Sequence, residues 1–348
     1  MTRTELGIQI RLAKTELAAS VVDTFYERHP EFTSRYKTEG YKKSVQDGEY
    51  HFLFLAEALE TEEPILFINY ISWVKTLFNS IGLPIQVLLE TIQLMKDVLN
   101  LRFSPPQAEP ACNLLEQSVQ LVTSEEPIQT SYIDESSLLG TVARSYLNAL
   151  LAADRRTASE IIGHAIKNGA SIKDIYLQVF QKSQQEIGRL WQLNRISVAQ
   201  EHFCSAATQM IMAQLYSQLF NGELKHRHVI VACVGGELHE LGARMVADIF
   251  ELEGWDSYFI GANTPLKDLL KTITEKKPDL IALSVTMTFH LPELKTYINE
   301  IHSISPSIKI MVGGYPFNAS PTLWQKVGAD AWAPDAVLAV KMAERLTA

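Results

Sequence analysis

A parallel-sheet α/β domain at the end of an otherwise all-helical chain is what the sequence predicts, and three observations carry the prediction. Beyond residue 226, short apolar runs alternate with amphipathic stretches of helical length: "HVIVACV" (228–234), "DSYFIGA" (256–262), "LIALSVT" (280–286), "IKIMVGG" (308–314) and "ADAWAP" (329–334). That alternation is the pattern of repeated βαβ units, whose strands are buried on both faces. Before residue 222 the apolar residues recur instead at helical spacing. The length, 348 residues, fits roughly two or three domains rather than one core.

Taken in order, residues 1–128 read as an all-helical domain. "LLETIQLMKDVL" (88–99) puts Leu88, Leu89, Ile92, Met95, Val98 and Leu99 on one stripe, as an amphipathic helix packed on others requires. Two breaker-rich passages follow, "SPPQAEPACN" (104–113) and "TSEEPIQTS" (123–131), and the second is the expected linker. Residues 129–222 read as a helical bundle. "SIKDIYLQVFQKSQQEIGRLW" spaces Ile172, Ile175, Val179, Ile187 and Leu190 at helical intervals and ends on Trp191. After the turn "NRIS", Ser197 with Gln200 three positions on is a capping-box signature, which places Glu201 and His202 in the first turns of the next helix. Residues 226–348 form the α/β domain, which gives a chain of class α/β plus all-α with a Rossmann-like, flavodoxin-like sheet last.

Composition excludes several functions. Net charge is −9 with no basic run, so no nucleic-acid partner is expected. No stretch has the roughly 18–20 uncharged apolar residues of a membrane helix, and the charged amino end is unlike a signal peptide. A cytoplasmic protein is expected. Cys112, Cys204 and Cys233 are widely spaced, with no Cys-x-x-Cys. They are expected as small buried residues rather than as a disulfide framework or zinc site.

The chemistry gathers at the sheet's carboxyl edge, where open α/β sheets bind ligands. "GGELHELG" (235–242) follows the first strand, Ser284 to Thr286 end the third, and Gly313 with Gly314 end the fourth, just before Tyr315. His239, next to Leu238, lies between Glu237 and Glu240. A carboxylate on one ring nitrogen fixes the tautomer and leaves the other nitrogen for a metal. One histidine cannot hold a bare ion, which needs three or four protein ligands. It can hold a metal that arrives with its own ring. The plainer reading of His239 is a capping or core histidine, and of the glycine pair a strand-end turn.

The spacing resembles the cobalamin-binding domain, whose pattern runs Asp-x-His-x-x-Gly, Ser-x-Leu, Gly-Gly. Here Glu237, His239 and Gly242 are followed, after residues 243–283, by Ser284 and Thr286, and, after residues 287–312, by Gly313 and Gly314. The resemblance implies that His239 is the lower ligand to cobalt and that the cofactor's nucleotide tail lies beside Ser284 and the glycines. Glu237 stands where Asp is usual and Thr286 where Leu is usual. The stretch 152–202 looks like the helical cap over the upper corrin face. Trp191 followed by Glu201 and His202 resembles the CarH-like light-sensor branch, where such residues contact an adenosyl group. Gln192 stands where that branch has a histidine that takes cobalt after illumination, which leaves His202 as candidate for the vacated position.

The segment 50–84 is similar to the amino-terminal domain of photocobilins, which join a bilin-binding domain to a cobalamin domain. That likeness implies biliverdin as a second chromophore, held noncovalently, with His51, Tyr70, Trp73, Lys75 and Arg35 as candidate contacts. An aromatic helical core is the stronger reading of His51, Tyr70 and Trp73 from the residues alone. The expectation is a photoreceptor rather than an enzyme. It would bind adenosylcobalamin, form a light-dependent homo-oligomer (dimer or larger) and signal to an unidentified partner. The alternatives are a corrinoid methyl carrier of a methyltransferase system and a cobalamin-sensing regulator without photochemistry.

Overall fold

The computed structural model describes residues 1–124, 130–221 and 223–348, and of 33–37, 220 and 221 the backbone alone. The chain divides into two units, Met1–Pro127 and Ile128–Ala348. Part of the expected linker, 125–129, and the side chain of Arg35 lie outside the described residues.

The first unit is built from α1 (Arg3–Arg28), α2 (Pro30–Glu60), α3 (Pro64–Ser80), α4 (Ile85–Arg102) and α5 (Pro105–Thr123). Helix α1 starts in a reciprocal cap: Glu5 N–H donates to Thr2 Oγ1 (3.1 Å) and Thr2 N–H to Glu5 Oε2 (2.7 Å). On α4, Leu88, Ile92, Met95 and Leu99 are buried as their spacing predicts, with Leu89 and Val98 half-buried. The passage 104–113 differs from its reading as a breaker. Pro105 and Pro106 open α5, and Pro110 lies inside it. A proline in the first helical turn loses no hydrogen bond and has its φ already set. Gln107 Oε1 accepts the N–H of Ser104 (3.1 Å).

In the second unit, α6 (Gly140–Leu151), α7 (Arg155–Lys167), α8 (Ile172–Asp174), α9 (Gln181–Gln192) and α10 (Val198–Gln214) form the bundle. A π-helical turn, Ile175–Phe180, joins α8 to α9, so the stretch expected as one regular helix contains a wider, underwound turn. Ile175, Val179 and Ile187 are nonetheless buried. Ser197 caps α10 as its spacing predicts, since its Oγ accepts from Gln200 N–H (3.2 Å) and its N–H donates to Gln200 Oε1 (3.0 Å).

The strands are β1 (His228–Cys233), β2 (Asp256–Gly261), β3 (Leu280–Ser284), β4 (Lys309–Gly313) and β5 (Ala331–Trp332). Helices α11 (Leu241–Leu252), α12 (Leu266–Lys276), α13 (Leu291–Ile304), α14 (Tyr315–Ala319), α15 (Leu323–Val327) and α16 (Ala336–Leu346) connect and follow them. Among the described residues the sheet runs β2-β1-β3-β4-β5, every neighbouring pair parallel. This is the flavodoxin-like order, with its switch point between β1 and β3. Past its first residue, β1 is buried throughout, which is why its sequence is a continuous apolar run. One hydrophobic cluster runs from the bundle (Tyr146, Tyr176, Phe180, Ile211) into the sheet layer (Val231, Phe250, Trp255, Val340). No helix among the described residues is long and apolar enough to cross a membrane.

Candidate functional site

Register brings the site together. Cys233 pairs with Ser284, and Ser284 with Gly313, so the last residues of β1, β3 and β4 lie side by side at the switch point. The chain leaving β1 turns at Gly235 and Gly236. Gly236 has φ +81°, a left-handed value that favours glycine. Asn263 holds the turn, since its Oδ1 accepts from Gly236 N–H (2.7 Å) and its own N–H donates to the Glu237 carbonyl (2.9 Å).

Glu237 is fully buried and spans two elements. Its Oε1 accepts the Nδ1–H (2.6 Å) and backbone N–H (3.0 Å) of His239, and its Oε2 accepts the N–H groups of Thr286 (2.8 Å) and Met287 (2.9 Å) beyond β3. Burial works against its charge. The His239 bond and the N–H groups of Met287, His239 and Thr286 outweigh that, and its carboxyl is lowered to about 2. The longer acid in place of aspartate thus reaches both the histidine and the β3 loop. His239, its side chain 58% exposed, is left with Nε2 making no hydrogen bond among the described residues. The Glu237 bond raises its pKa, burial opposes this, and the charge of Glu201 on α10 adds to the rise. The tip of the bundle and the edge of the sheet therefore share one electrostatic neighbourhood.

Glu240 does something other than the flanking role expected of it. Its Oε1 accepts from Gln209 Nε2 of α10 (3.0 Å) and its Oε2 from Ala262 N–H beyond β2 (2.9 Å), so it ties bundle to sheet and leaves His239 to Glu237 alone. Tyr176 donates to Asp248 (2.8 Å), which also accepts from Arg244 Nε (3.0 Å), and Lys173 pairs with Glu253. Bundle and sheet are held together on their far side. Cys233, beneath the histidine loop, has its thiol pushed up to about 12 by burial and then by Glu237 and Glu240, which makes it unreactive.

The glycines divide. A Cβ on Gly242 would meet nothing within 4 Å, and one on Gly313 only the Ala333 carbonyl at 3.9 Å, so both leave open room at the edge. Gly314 has φ +111°, and a Cβ there would stand 1.9 Å from the Val285 carbonyl. Its absence of side chain serves the close approach of two backbones. We expect Gly313→Ala to melt within about 1 kcal/mol of wild type, as substitutions away from buried features do. Gly314→Ala should lose about 1–3 kcal/mol or more from backbone strain alone. Equal melting curves for the two variants would refute the division.

On the bundle, Trp191 stands in the last turn of α9, partly buried against the shared cluster, while Gln192 after it is buried. His202 is exposed, and its Nδ1 is paired with Glu201 Oε2 at 2.6 Å. Around the histidine, Leu238 (70% exposed) and Tyr315 (47% exposed) present apolar surface to the open edge. Two buried polar atoms in the turn after β3 lack partners among the described residues: Thr288 Oγ1 and His290 Nδ1, the latter 3.6 Å from Glu237 Oε2. A histidine four residues past the Ser-x-Thr element carries no sequence signal, and only the turn Thr288–His290 aims it at Glu237.

The donor set fits a corrinoid. Among the described residues no group of three or more His, Cys, Asp or Glu could hold a bare ion. One tautomer-fixed imidazole is what a metal with its own equatorial ring requires. The side-chain-free positions at Gly242 and Gly313 and the unsatisfied Thr288 and His290 suit a ligand that is both flat and polar-tailed.

In the first unit, His51 Nδ1 is hydrogen-bonded to Tyr70 OH (2.7 Å), and Tyr70 stacks on Phe54 with ring centroids 3.8 Å apart. His51 is buried, and burial lowers its pKa to about 4. Lys75 Nζ donates to the carbonyls of Ser124 (2.6 Å) and Leu121 (3.3 Å) at the end of α5. Trp73 is 37% exposed. His51 and Tyr70 thus satisfy each other within an aromatic core.

The family described as "B12 binding domain" matches residues 227–341, and a second family of the same description matches 142–216. The chain is similar to dimethylamine corrinoid protein 3 of Methanosarcina mazei, at 30% identity over 122 residues, which cover 34% of this chain and 72% of that protein. The same identity over 122 residues links it to dimethylamine corrinoid protein 1 of Methanosarcina acetivorans, where the match covers 34% of this chain and little more than half, 56%, of the relative. It is also similar to the HTH-type transcriptional repressor CarH of Myxococcus xanthus, at 26% identity over 206 residues, covering 59% of this chain and 68% of the repressor. The solved monomethylamine corrinoid protein of Methanosarcina barkeri shares the fold: TM-score 0.53, 20% identity, 60% of this chain and 99% of that one.

Proposed function

Since this chain belongs to the corrinoid proteins that carry the B12 binding domain, we propose that it is a cobalamin-dependent photoreceptor. It would take adenosylcobalamin between bundle and sheet and answer light with a change of subunit association. The observation that carries the reading is the pairing of two features: the Glu237-clamped His239 at the sheet edge, and Trp191 with the Glu201–His202 pair at the facing end of the bundle. When bound, the corrinoid supplies a photolabile cobalt–carbon bond. His239 Nε2 would hold it, and Glu237, by accepting the Nδ1–H, selects the neutral tautomer whose lone pair lies on Nε2. Thr288 Oγ1 and His290 Nδ1 would offer buried hydrogen-bonding atoms to the nucleotide tail, and Gly313 would leave it room. Trp191 would pack against the adenosyl group, and losing that packing partner would bias the bundle between two arrangements. The output leaves through assembly or a partner, and the chain performs no turnover of its own. A biliverdin in the first unit adds a second chromophore, with Trp73 as its most accessible aromatic wall. The test is to load the protein with adenosylcobalamin in the dark and follow absorbance and mass under green light. Irreversible loss of the adenosyl band with a changed oligomeric state is expected. An unchanged spectrum ends the photoreceptor reading, and a change of assembly on dark binding alone favours a regulator without photochemistry.

The 30% identity to dimethylamine corrinoid proteins favours a second reading, a methyl carrier. It predicts light-indifferent transfer of a methyl group from the loaded protein to a thiol acceptor. Trp191 with Glu201 and His202 has no evident use in that chemistry.

Either reading carries a pH signature. Because His239 is raised above the usual 6.5, its protonated form persists to higher pH, and cobalt must displace that proton. Affinity for the corrinoid should climb as pH rises through the raised value and level off above it, with proton release on binding at pH 6. Calorimetry in two buffers of different ionisation enthalpy measures this, and no released proton at pH 6 would contradict it.

A further inference from the structure

Between β1 and α11 the chain from Val234 to Glu240 is neither strand nor helix, yet it carries the imidazole of His239. Outside regular structure, a loop keeps its shape through the bonds made to its backbone. Here those bonds come from two places in the sheet domain. The first is the loop after β2, where Asn263 stands in the left-handed region at φ +47°. From there its N–H donates to the Glu237 carbonyl (2.9 Å) and its Oδ1 accepts from Gly236 N–H (2.7 Å), while Thr264 N–H donates to the Cys233 carbonyl (3.1 Å). The second is α13, whose buried Tyr297 accepts the N–H of Gly235 at its hydroxyl (3.0 Å) and donates that hydroxyl to the Thr264 carbonyl (2.5 Å). One phenol oxygen ties both loops to one helix.

The approach is close because the loop has no side chains where it meets the helix. His290, Glu293 and Tyr297 recur at intervals of three and four residues and share one face. A Cβ on Gly235 would stand 3.1 Å from Tyr297 OH and 3.3 Å from Glu293 Oε1, and one on Gly236 would stand 3.3 Å from His290 Cε1. The carboxylate of Glu237 is anchored elsewhere, at the N–H groups of Thr286 and Met287. The histidine and its acid therefore stay in register only while the backbone from Gly235 to Glu237 stays where Asn263 and Tyr297 hold it. Drift of that backbone would draw His239 Nδ1 away from Glu237 Oε1, 2.6 Å distant.

We infer that Tyr297 and Asn263 are positioning residues for the metal-binding nitrogen, fixing the tautomer and aim of His239 before any corrinoid arrives. They act through Gly235, Gly236 and Glu237. The use of the nitrogen rests on the corrinoid reading above, whereas the preset geometry belongs to the unloaded chain. Tyr297→Phe removes the oxygen and keeps the ring that fills the core. Asn263→Gly keeps the left-handed backbone accessible and removes the side-chain acceptor.

The test compares the full chain as wild type, Tyr297→Phe, Asn263→Gly and Ile298→Val. Ile298 is buried on α13 with its side chain against Gly328, so losing a methyl there lowers stability away from the histidine loop. The first measurement is nitrogen NMR of corrinoid-free protein labelled with 15N histidine, with His239→Ala identifying the His239 signals, at a pH above the raised His239 value where the ring is neutral. Wild type and Ile298→Val should show the Nδ1–H tautomer, and Tyr297→Phe and Asn263→Gly a mixture of both tautomers. The second is equilibrium dialysis with cob(II)alamin, whose binding should weaken by about tenfold in the same two variants, the scale that outer partners exert at metal sites, and hold in Ile298→Val. Positioning is refuted if both variants keep the wild-type tautomer, if they bind the corrinoid as tightly as wild type, or if Ile298→Val loses as much as they do. Should Tyr297→Phe fail to fold, Asn263→Gly decides alone. If no protein retains the corrinoid, the corrinoid reading falls, and the tautomer measurement still decides the positioning.

Discussion

Replacing His239 with alanine is expected to leave the protein folded and to abolish its hold on cobalt. The side chain is more than half exposed, and surface truncations of this kind usually stay within about 0.5 kcal/mol. Its outer partner alone governs ten- to hundredfold in affinity at metal sites, so loss of the ligand itself should cost about 100-fold or more. Any corrinoid still bound should keep its own nucleotide base on cobalt. Equilibrium dialysis together with the absorption spectrum reads both effects. A variant that binds as tightly as wild type with the same spectrum would show that the imidazole is a bystander.

Replacing Glu237 with alanine should damage fold and site together. Among the described residues the carboxylate is the only partner of the N–H groups of the half-buried Thr286 and Met287, and a donor left unsatisfied out of reach of water costs about 1–3 kcal/mol. We expect the second unit to lose about 2–4 kcal/mol in denaturant unfolding and the corrinoid affinity to fall about 10- to 100-fold as the His239 tautomer is released. Aspartate at this position is one methylene short of bridging histidine and loop, so Glu237→Asp should recover part of one function and not both. Acid separates the two roles in wild type. With its carboxyl lowered to about 2, Glu237 contributes its full stabilisation above the usual 4.5 and loses it only as pH falls toward 2. The histidine, raised above 6.5, protonates far earlier. Cobalt should therefore be released well before the loop is. Simultaneous loss of ligand and of fold on acid titration would contradict this order.

The sheet was legible because burial on both faces writes a strand as an unbroken apolar run. "HVIVAC" and "LIALS" became β1 and β3, and the register then followed from their equal ends. The histidine, its acid and the glycines were legible through spacing alone. What spacing could not supply was direction. Glu237 and Glu240 flank His239 symmetrically in the chain, yet one is turned under the β3 loop and the other across to α10 and β2, because the turn at Gly236 and the start of α11 point them apart. Gly313 and Gly314 likewise look equivalent in sequence, and only the approach of Val285 to one of them distinguishes a position with open space from a packing one. Pro105 and Pro106 misled because their helix-breaking effect vanishes in a first turn, and α5 runs on through Pro110 as well. His290 was missed because it reaches the site through a short turn that no periodicity announces.

The most direct test of the central claim is electron paramagnetic resonance of the Co(II) corrinoid bound to protein grown with 15N-labelled histidine. If His239 is the axial ligand, the superhyperfine splitting from the axial nitrogen changes from the triplet of 14N to the doublet of 15N, and His239→Ala abolishes the doublet. A triplet that survives labelling would mean that cobalt keeps the nitrogen of its own nucleotide base, and the assignment of this site would be wrong.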